Sequence, residues 1–202
     1  MERLLIINGS PRAPKSNSKK YIDLLKESLP GGIEVVEINV LNRRNRKYIS
    51  ELNQFSDILI VFPLYVDTIP MVLMEYLKEM GGVACPKTRF HFIVNGGFFE
   101  PHQSDIAMKI IEYYCRKNDF QIGMKLQIGA GEAMLRTFPW LAKFQLARFA
   151  KKMILGKKET MTFTMPLTRT MFLLGSKFYW TNYGKQYGCT KKEMETLKIE
   201  GK

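Results

Sequence analysis

Short polar side chains gather between the first apolar run of the sequence and its first helical pattern. The segment begins at Gly9, which allows a tight turn and a close approach of the backbone to a ligand. Its hydrogen-bonding residues are Ser10, Ser16, Asn17 and Ser18. The free N–H groups at the start of the following helix point into the same space, so these donors together suit a phosphate group.

Basic residues surround the start of this predicted helix, where an acidic first turn is the usual arrangement. They are Arg12, Lys15, Lys19 and Lys20. The first acid is Asp23, so the charges are unfavourable for an isolated helix and become favourable once a phosphate is bound. The alternative is an ordinary loop with a Ser or Asn cap and solvated lysines. A P-loop and a GxGxxG dinucleotide loop are excluded, because neither glycine pattern occurs here.

Two further loops carry aromatic residues and glycines that suit a flat, partly apolar ring. The first contains Pro63, Leu64, Tyr65 and Val66. The second contains Asn95, Gly96, Gly97 and Phe98. The alternatives are a tyrosine in the core and a simple turn followed by buried phenylalanines. We expect Asp67 or Thr68 to cap the helix that follows the first of these loops.

The elements that hold these loops alternate between strand and helix over the first 128 residues. Continuous apolar runs at 4–7, 58–62 and 90–94 predict central strands, whereas 33–40 and 124–128 alternate apolar and polar residues and predict edge strands. We therefore expect an α/β, doubly wound, five-stranded parallel sheet. The flavodoxin-like strand order 2-1-3-4-5 satisfies these positions. It also places all three loops at the carboxyl edge of the sheet, where such folds bind ligands.

The last third of the chain departs from this alternation. We expect residues 1–130 to form the domain, and residues 131–202 to form a basic, aromatic-rich helical extension packed on the domain or on a partner subunit. Residues 160–165 predict a short strand, and residues 167–187 predict a helix that reaches at least to Trp180.

A helix is also predicted between residues 140 and 153. Its apolar positions are Trp140, Phe144, Ala147 and Met153. Its polar side is predicted to carry Lys143, Arg148, Lys151 and Lys152.

The net charge of +12 is concentrated in that last third. Residues 143–202 contain thirteen Lys or Arg and four Asp or Glu, which favours anionic partners such as phosphates, anionic lipid or nucleic acid.

The cysteines and histidines do not indicate a metal site. Cys85, Cys115 and Cys189 lie far apart, no histidine is spaced to complete a site, and this cysteine use is typical of a reducing cytoplasm. His91 lies within an apolar strand pattern and is interpreted as a core residue. The apolar run at 4–7 is too short for a secretory signal or a membrane span, so we expect a cytoplasmic protein without stable membrane insertion.

Three segments resemble the flavodoxin-like NAD(P)H-dependent FMN reductases and oxidoreductases. They read LLIINGSPRAPKSNS, DILIVFPLYVDTIP and FIVNGGFF, and the resemblance covers about residues 1–130. It implies that the FMN phosphate is held by Ser10, Arg12, Ser16, Asn17 and Ser18. It implies that one side of the isoalloxazine ring is lined by Pro63, Leu64, Tyr65 and Val66. The other side would then be lined by Asn95, Gly96, Gly97 and Phe98. Many relatives have cysteines after strand two, which residues 41–47 lack.

The resemblance implies an oxidoreductase that passes hydride or electrons from NAD(P)H through FMN to a small acceptor of the quinone, nitroaromatic or flavin type. It also implies a homodimer. We name no catalytic side chain, because the flavin would carry the chemistry. The alternative is a flavodoxin-like electron carrier with protein partners that NAD(P)H does not reduce. A third interpretation, binding to membrane surfaces or nucleic acid through Arg43–Lys47 and residues 140–158, is less favoured than a solvated face; no nucleic-acid partner is expected.

Overall fold

The computed structural model describes residues 2–196. Met1 of the predicted domain and residues 197–202 of the predicted extension lie outside the described residues. The chain forms two compact units, Met1–Met165 and Pro166–Lys202. All strands and the functional loops belong to the first unit. No helix among the described residues is both long enough and apolar enough to span a bilayer.

The first unit is built on one parallel sheet of six strands in the order β2-β1-β3-β4-β5-β6. The strands are β1 (Arg3–Asn8), β2 (Glu34–Asn39), β3 (Asp57–Pro63), β4 (Arg89–Asn95), β5 (Gln121–Ile128) and β6 (Thr160–Phe163). The three continuous apolar runs form β1, β3 and β4 in the middle of the sheet. The predicted order of the first five strands and the doubly wound class are therefore confirmed.

The prediction of five strands was wrong, because β6 adds a sixth. It pairs in parallel with β5 from Lys125↔Thr160 to Ile128↔Phe163, so β5 is not an edge strand. The alternating polar residues that suggested an edge are satisfied inside the protein. Gln127 donates to Ser104 Oγ at 2.9 Å, and Lys125 forms an ion pair with Glu112.

Helices cover both faces of the sheet. They are α1 (Asn17–Lys26), α2 (Met71–Met80), α3 (Asp105–Lys117), α4 (Gly131–Thr137) and α5 (Pro139–Ile154). Short 3-10 helices cover Arg43–Ile49, Leu52–Gln54 and Pro101–Ser104. Alternate residues of the central strands pack against α2 and α3 in one large cluster, while α1 and α5 cover the other face. Cys85 and Cys115 are buried free thiols.

Helix α5 buries only part of the predicted apolar side, namely Met153. Its buried residues are Ala142, Leu146, Phe149, Ala150 and Met153. Trp140 and Phe144, expected on the apolar side, are exposed together with the basic residues. The sequence contains a second set of apolar residues at helical spacing, and this face packs against α1 and β5.

His91 lies in the core, as predicted, at the sheet edge opposite the functional loops. Its Nδ1 accepts from the Met124 N–H at 2.8 Å, so Nε2 carries the proton and donates to Asp57 Oδ1 at 2.9 Å. Arg89 also pairs with Asp57, Nε to Oδ1, at 2.9 Å. Burial lowers the pKa of His91, although Asp57 opposes the shift. Burial would raise the pKa of Asp57, but hydrogen bonds led by that from His91 lower it overall.

The second unit consists of α6 (Arg169–Lys185) and α7 (Lys191–Thr196). Thr168 caps α6 by accepting from the Met171 N–H at 3.3 Å. The helices approach so closely that a Cβ on Gly184 would lie 2.2 Å from Sδ of Met194. Gly184 is the one buried residue of α6 in the described chain, and Phe178, Trp180 and Tyr183 are exposed.

Candidate functional site

The loops after β1, β3 and β4 meet at the carboxyl edge of the sheet and line one cavity of about 170 Å³. Every residue predicted for the site lines it, except Val66 and Phe98. One further residue, Glu132, lies in the first turn of α4. The parallel strands thus bring together segments separated by more than a hundred residues of sequence.

Ser16 forms the start of α1 by accepting from the Lys19 N–H at 3.1 Å. The N–H groups of Asn17 and Ser18 have no acceptor within residues 2–196. The preceding loop is ordered by its own hydrogen bonds: Ser10 Oγ accepts from the Arg12 N–H at 3.2 Å. The start of the helix therefore presents a fixed pair of donors together with its positive dipole end.

The basic residues around this helix start are not equivalent. Lys19 forms ion pairs with the carboxylates of Asp23 and Glu37. These ion pairs were not predicted, because Lys19 was counted among the basic residues available to a bound anion. Burial would lower the pKa of Lys19, but these two carboxylates outweigh it and raise the pKa. No ion pair occupies Arg12 or Lys20 within the described residues.

A second cavity, of about 440 Å³, adjoins the first and shares part of its lining. It is lined by Arg12, Pro14, Lys15, Ser16, Asn17, Lys19, Lys20, Glu132 and Arg136. Its volume is within the usual range of ligand pockets, about 300–1,000 Å³. The charge around it is mainly positive, which favours an anionic ligand that reaches beyond the first cavity.

The polar groups of Asn95 and Gly96 are used within the protein. Asn95 Nδ2 donates to Ser18 Oγ at 3.0 Å and to the Phe62 carbonyl at 2.9 Å. The Gly96 N–H donates to the Ile128 carbonyl at 2.8 Å. Asn95 therefore ties the three loops together. Gly97 is different, because open space lies where its Cβ would be.

Tyr65 to Thr68 form a tight turn that the sequence did not predict. Tyr65 and Thr68 exchange backbone N–H···O bonds of 3.2 and 3.1 Å. Between them, Val66 and Asp67 have φ values of 49° and 57°. Positive φ at both central residues is typical of a type I′ turn, and a β-branched residue rarely adopts it. Asp67 and Thr68 do not cap α2, because this turn holds them; the helix begins after Pro70 without a side-chain cap.

The aromatic residues of these loops face outward. Tyr65 keeps 41% of its surface exposed and Phe98 keeps 55%, so the alternatives that placed Tyr65 and Phe98 in the core are wrong. Val66, at the tip of the turn, is 96% exposed. Of these three side chains, Tyr65 lines the first cavity, whereas Val66 and Phe98 do not.

Helix α4 supplies the residues that the sequence analysis missed. It begins after Ala130, whose φ is 51°, and the buried Tyr21 hydroxyl donates to the Gly131 carbonyl at 2.7 Å. This bond holds α4 beside α1, and Glu132 pairs with Arg136 at 2.8 Å. The signal in the sequence was Gly129-Ala130-Gly131 directly after a strand of the same sheet.

The chain has a flavodoxin-like α/β fold, and the start of α1 presents backbone N–H groups beside basic side chains. Solved structures of the same fold include an FMN-dependent NADH-azoreductase from Bacillus anthracis in complex with FMN. It is 18% identical, covers 78% of this chain and 100% of its own, and gives a TM-score of 0.53.

Flavodoxins are similar to the chain as well. A Fusobacterium nucleatum flavodoxin bound to flavin mononucleotide is 13% identical, covers 78% of this chain and 100% of its own, and gives a TM-score of 0.59. A flavodoxin from Streptococcus pneumonia TIGR4 is 11% identical and also gives a TM-score of 0.59. The match covers 76% of this chain and 98% of the flavodoxin. No protein-family model and no curated protein matches the sequence. The resemblance indicated by the sequence is therefore confirmed at the level of the fold.

Proposed function

We propose that the chain binds FMN at this edge of the sheet and acts as an NAD(P)H-dependent FMN oxidoreductase for a small acceptor of the quinone, nitroaromatic or flavin type. The observation that carries the proposal is the single cavity that joins the polar start of α1 to the apolar and glycine-containing loops after β3 and β4. A ligand with a phosphate at one end and a flat ring at the other matches this arrangement.

The residues at the start of α1 fit a phosphate dianion. The unpaired N–H groups of Asn17 and Ser18 would donate to its oxygens, and Arg12 would add a charge-assisted bond. The Ser10 and Ser16 hydroxyls accept from backbone N–H groups and keep one proton each to donate.

The loops after β3 and β4 fit a planar ring. Pro63, Leu64 and Tyr65 would form one wall, and Gly97 would allow the backbone to approach the other side. The N–H groups of Val66 and Gly97 have no acceptor in the described part of the chain and would be available to ring oxygens and nitrogens. Bound FMN would supply the redox chemistry, while the protein positions and tunes it.

The second, cationic cavity supports a nucleotide co-substrate. Arg12 and the start of α1 suffice for one phosphate, so Lys15 and Lys20 remain for a further anion such as NAD(P)H. We also propose a homodimer, which light scattering would test through the molecular mass in solution.

The first experiment is an absorbance spectrum after FMN addition and desalting, followed by anaerobic NADH or NADPH. Retained flavin that bleaches supports the oxidoreductase. An Arg12→Ala variant should weaken FMN binding by about tenfold to a hundredfold, since charge-assisted bonds contribute about 1.5–3 kcal/mol. Lys78→Ala, which removes an exposed charge from α2, is the matched control. A chain that retains no flavin would contradict the proposal.

The second candidate is an electron carrier with protein partners. The flavodoxins give higher TM-scores, 0.59, than the azoreductase, 0.53. Flavin that is retained but stays oxidised with either nicotinamide nucleotide, and is reduced by dithionite, would favour this candidate.

A further inference from the structure

Helix α5 presents aromatic and basic residues on the face opposite the core. Trp140, Phe144, Arg148 and Lys151 recur at spacings of three and four residues, and Leu155 follows on the same side just past the helix end. Trp140 is 64% exposed, Phe144 56% and Leu155 62%. A run of large apolar side chains on the surface of a helix usually marks a contact with another body.

The charges on this face have one sign. Between Glu132 and Glu159 the sequence contains Lys and Arg but no acid. Lys143 is paired with Glu27, and Lys152 with Glu159. Arg148 and Lys151 have no carboxylate partner within the described residues, so their charges remain available to a partner.

The second unit repeats this composition independently. Helix α6 exposes Phe178, Trp180 and Tyr183, and Trp180 keeps 54% of its surface accessible. From residue 160 to residue 192 the sequence has basic residues, among them Lys177 and Lys185, and no acid. Two surface helices in different units therefore combine aromatic residues with unopposed positive charge.

We propose that the α5 face, defined by Trp140, Phe144, Arg148, Lys151 and Leu155, binds the surface of an anionic lipid bilayer. Amphipathic helices with Trp, Phe or Leu beside Lys or Arg lie at the headgroup level of membranes. Each basic residue near an anionic bilayer adds attraction, and each apolar side chain gains by leaving water. This is peripheral association and requires no spanning helix.

Positive charge and exposed apolar side chains together select this partner over the others. In a symmetric dimer through this face, the same cations would face each other and repel. Nucleic acid would satisfy the cations, but a duplex backbone gives Phe144 and Leu155 no apolar surface to contact. An anionic bilayer satisfies both the charged and the apolar residues.

Intrinsic fluorescence tests the proposal, because Trp140 and Trp180 are the only tryptophans of the chain. A Trp180→Phe variant leaves Trp140 as the single reporter on α5. Its emission should shift to shorter wavelength with vesicles of equal phosphatidylcholine and phosphatidylglycerol, and should not shift with phosphatidylcholine alone. Co-sedimentation with the same vesicles gives the partition coefficient, which added salt should lower.

The variant Arg148→Glu/Lys151→Glu should partition at least about tenfold more weakly, since each basic residue at an anionic surface contributes about fivefold. Lys109→Glu/Arg116→Glu makes the same change of charge at exposed residues of α3 and should have a much smaller effect. Equal loss in both variants would overturn the proposal in favour of a general charge effect. Absence of vesicle binding, or vesicle-free self-association that only the α5 variant abolishes, would also overturn it.

Discussion

The packing of His91 depends on the absence of a side chain at residue 123. A Cβ on Gly123 would lie 2.3 Å from Cε1 of His91, whose ring is fixed on both sides by hydrogen bonds. We expect Gly123→Ala to lower the free energy of unfolding by about 3 kcal/mol, because the ring or the strand must move. Urea denaturation measures this loss.

The control for that substitution is Gly31→Ala, where no atom lies within 4 Å of the added Cβ and φ is negative. Its unfolding free energy should be unchanged or slightly higher. If both variants lost the same stability, the contact with His91 would not be the cause.

The buried Asp57–His91 pair makes stability dependent on pH. The pKa of His91 is lowered by burial. Below about pH 6.5, His91 therefore binds a proton in the unfolded chain but stays neutral in the native protein. The pKa of Asp57 is also lowered overall, because its hydrogen bonds, first that from His91, outweigh burial. Stability should therefore fall as the pH drops below about 6.5, and fall further below about 3.9.

Urea midpoints measured at descending pH would follow this loss. His102 is exposed and is the other histidine of the chain. A His102→Gln variant should keep the same pH dependence of stability between about pH 7 and about pH 5. This range spans the ordinary histidine pKa of about 6.5. A flat profile in that variant would show that His91 is not responsible.

At the scale of elements, α4 is held to α1 by one buried bond, from the Tyr21 hydroxyl to the Gly131 carbonyl. Tyr21→Phe leaves that carbonyl without its donor, so we expect a loss of about 1–2 kcal/mol in unfolding free energy. FMN retention should fall too if α4 shapes the cavity. Tyr113→Phe, at an exposed position of α3, should change neither quantity.

The central strands could be predicted from the sequence because burial on both faces leaves a continuous apolar run. The strand ends then fixed which loops share an edge, and most predicted site residues line the cavity for that reason. Two features depend on contacts between distant segments and left no local signal. Lys125 and Gln127 find partners on α3 and the preceding turn, and Lys19 meets Glu37 from β2.

Helix α5 shows a different limit of sequence reasoning. It has two faces of apolar residues, and periodicity alone does not say which one is buried. Trp140 and Phe144 were predicted on the apolar side, but the buried face contains Ala142 and Ala150. Glu132 was missed because it lies beyond the predicted domain boundary at residue 130.

Considered as a whole, the molecule carries its positive charge where anions are proposed to bind. The net charge of +12 would raise the encounter rate with FMN, with NAD(P)H and with an anionic bilayer alike. All of these encounters should slow as ionic strength increases, because the Debye length shortens.

The large core cluster and both cavities belong to the first unit, Met1–Met165. We therefore expect a chain that ends at Met165 to fold cooperatively and to retain FMN. Its thermal midpoint should differ from that of the full chain by no more than about 4 °C, which corresponds to about 1–2 kcal/mol in a domain of this size. Differential scanning calorimetry and the flavin spectrum measure the two quantities on one sample. A broad, non-cooperative transition would instead mean that residues 166–202 complete the core, because a sheet protein with an intact core unfolds in one step.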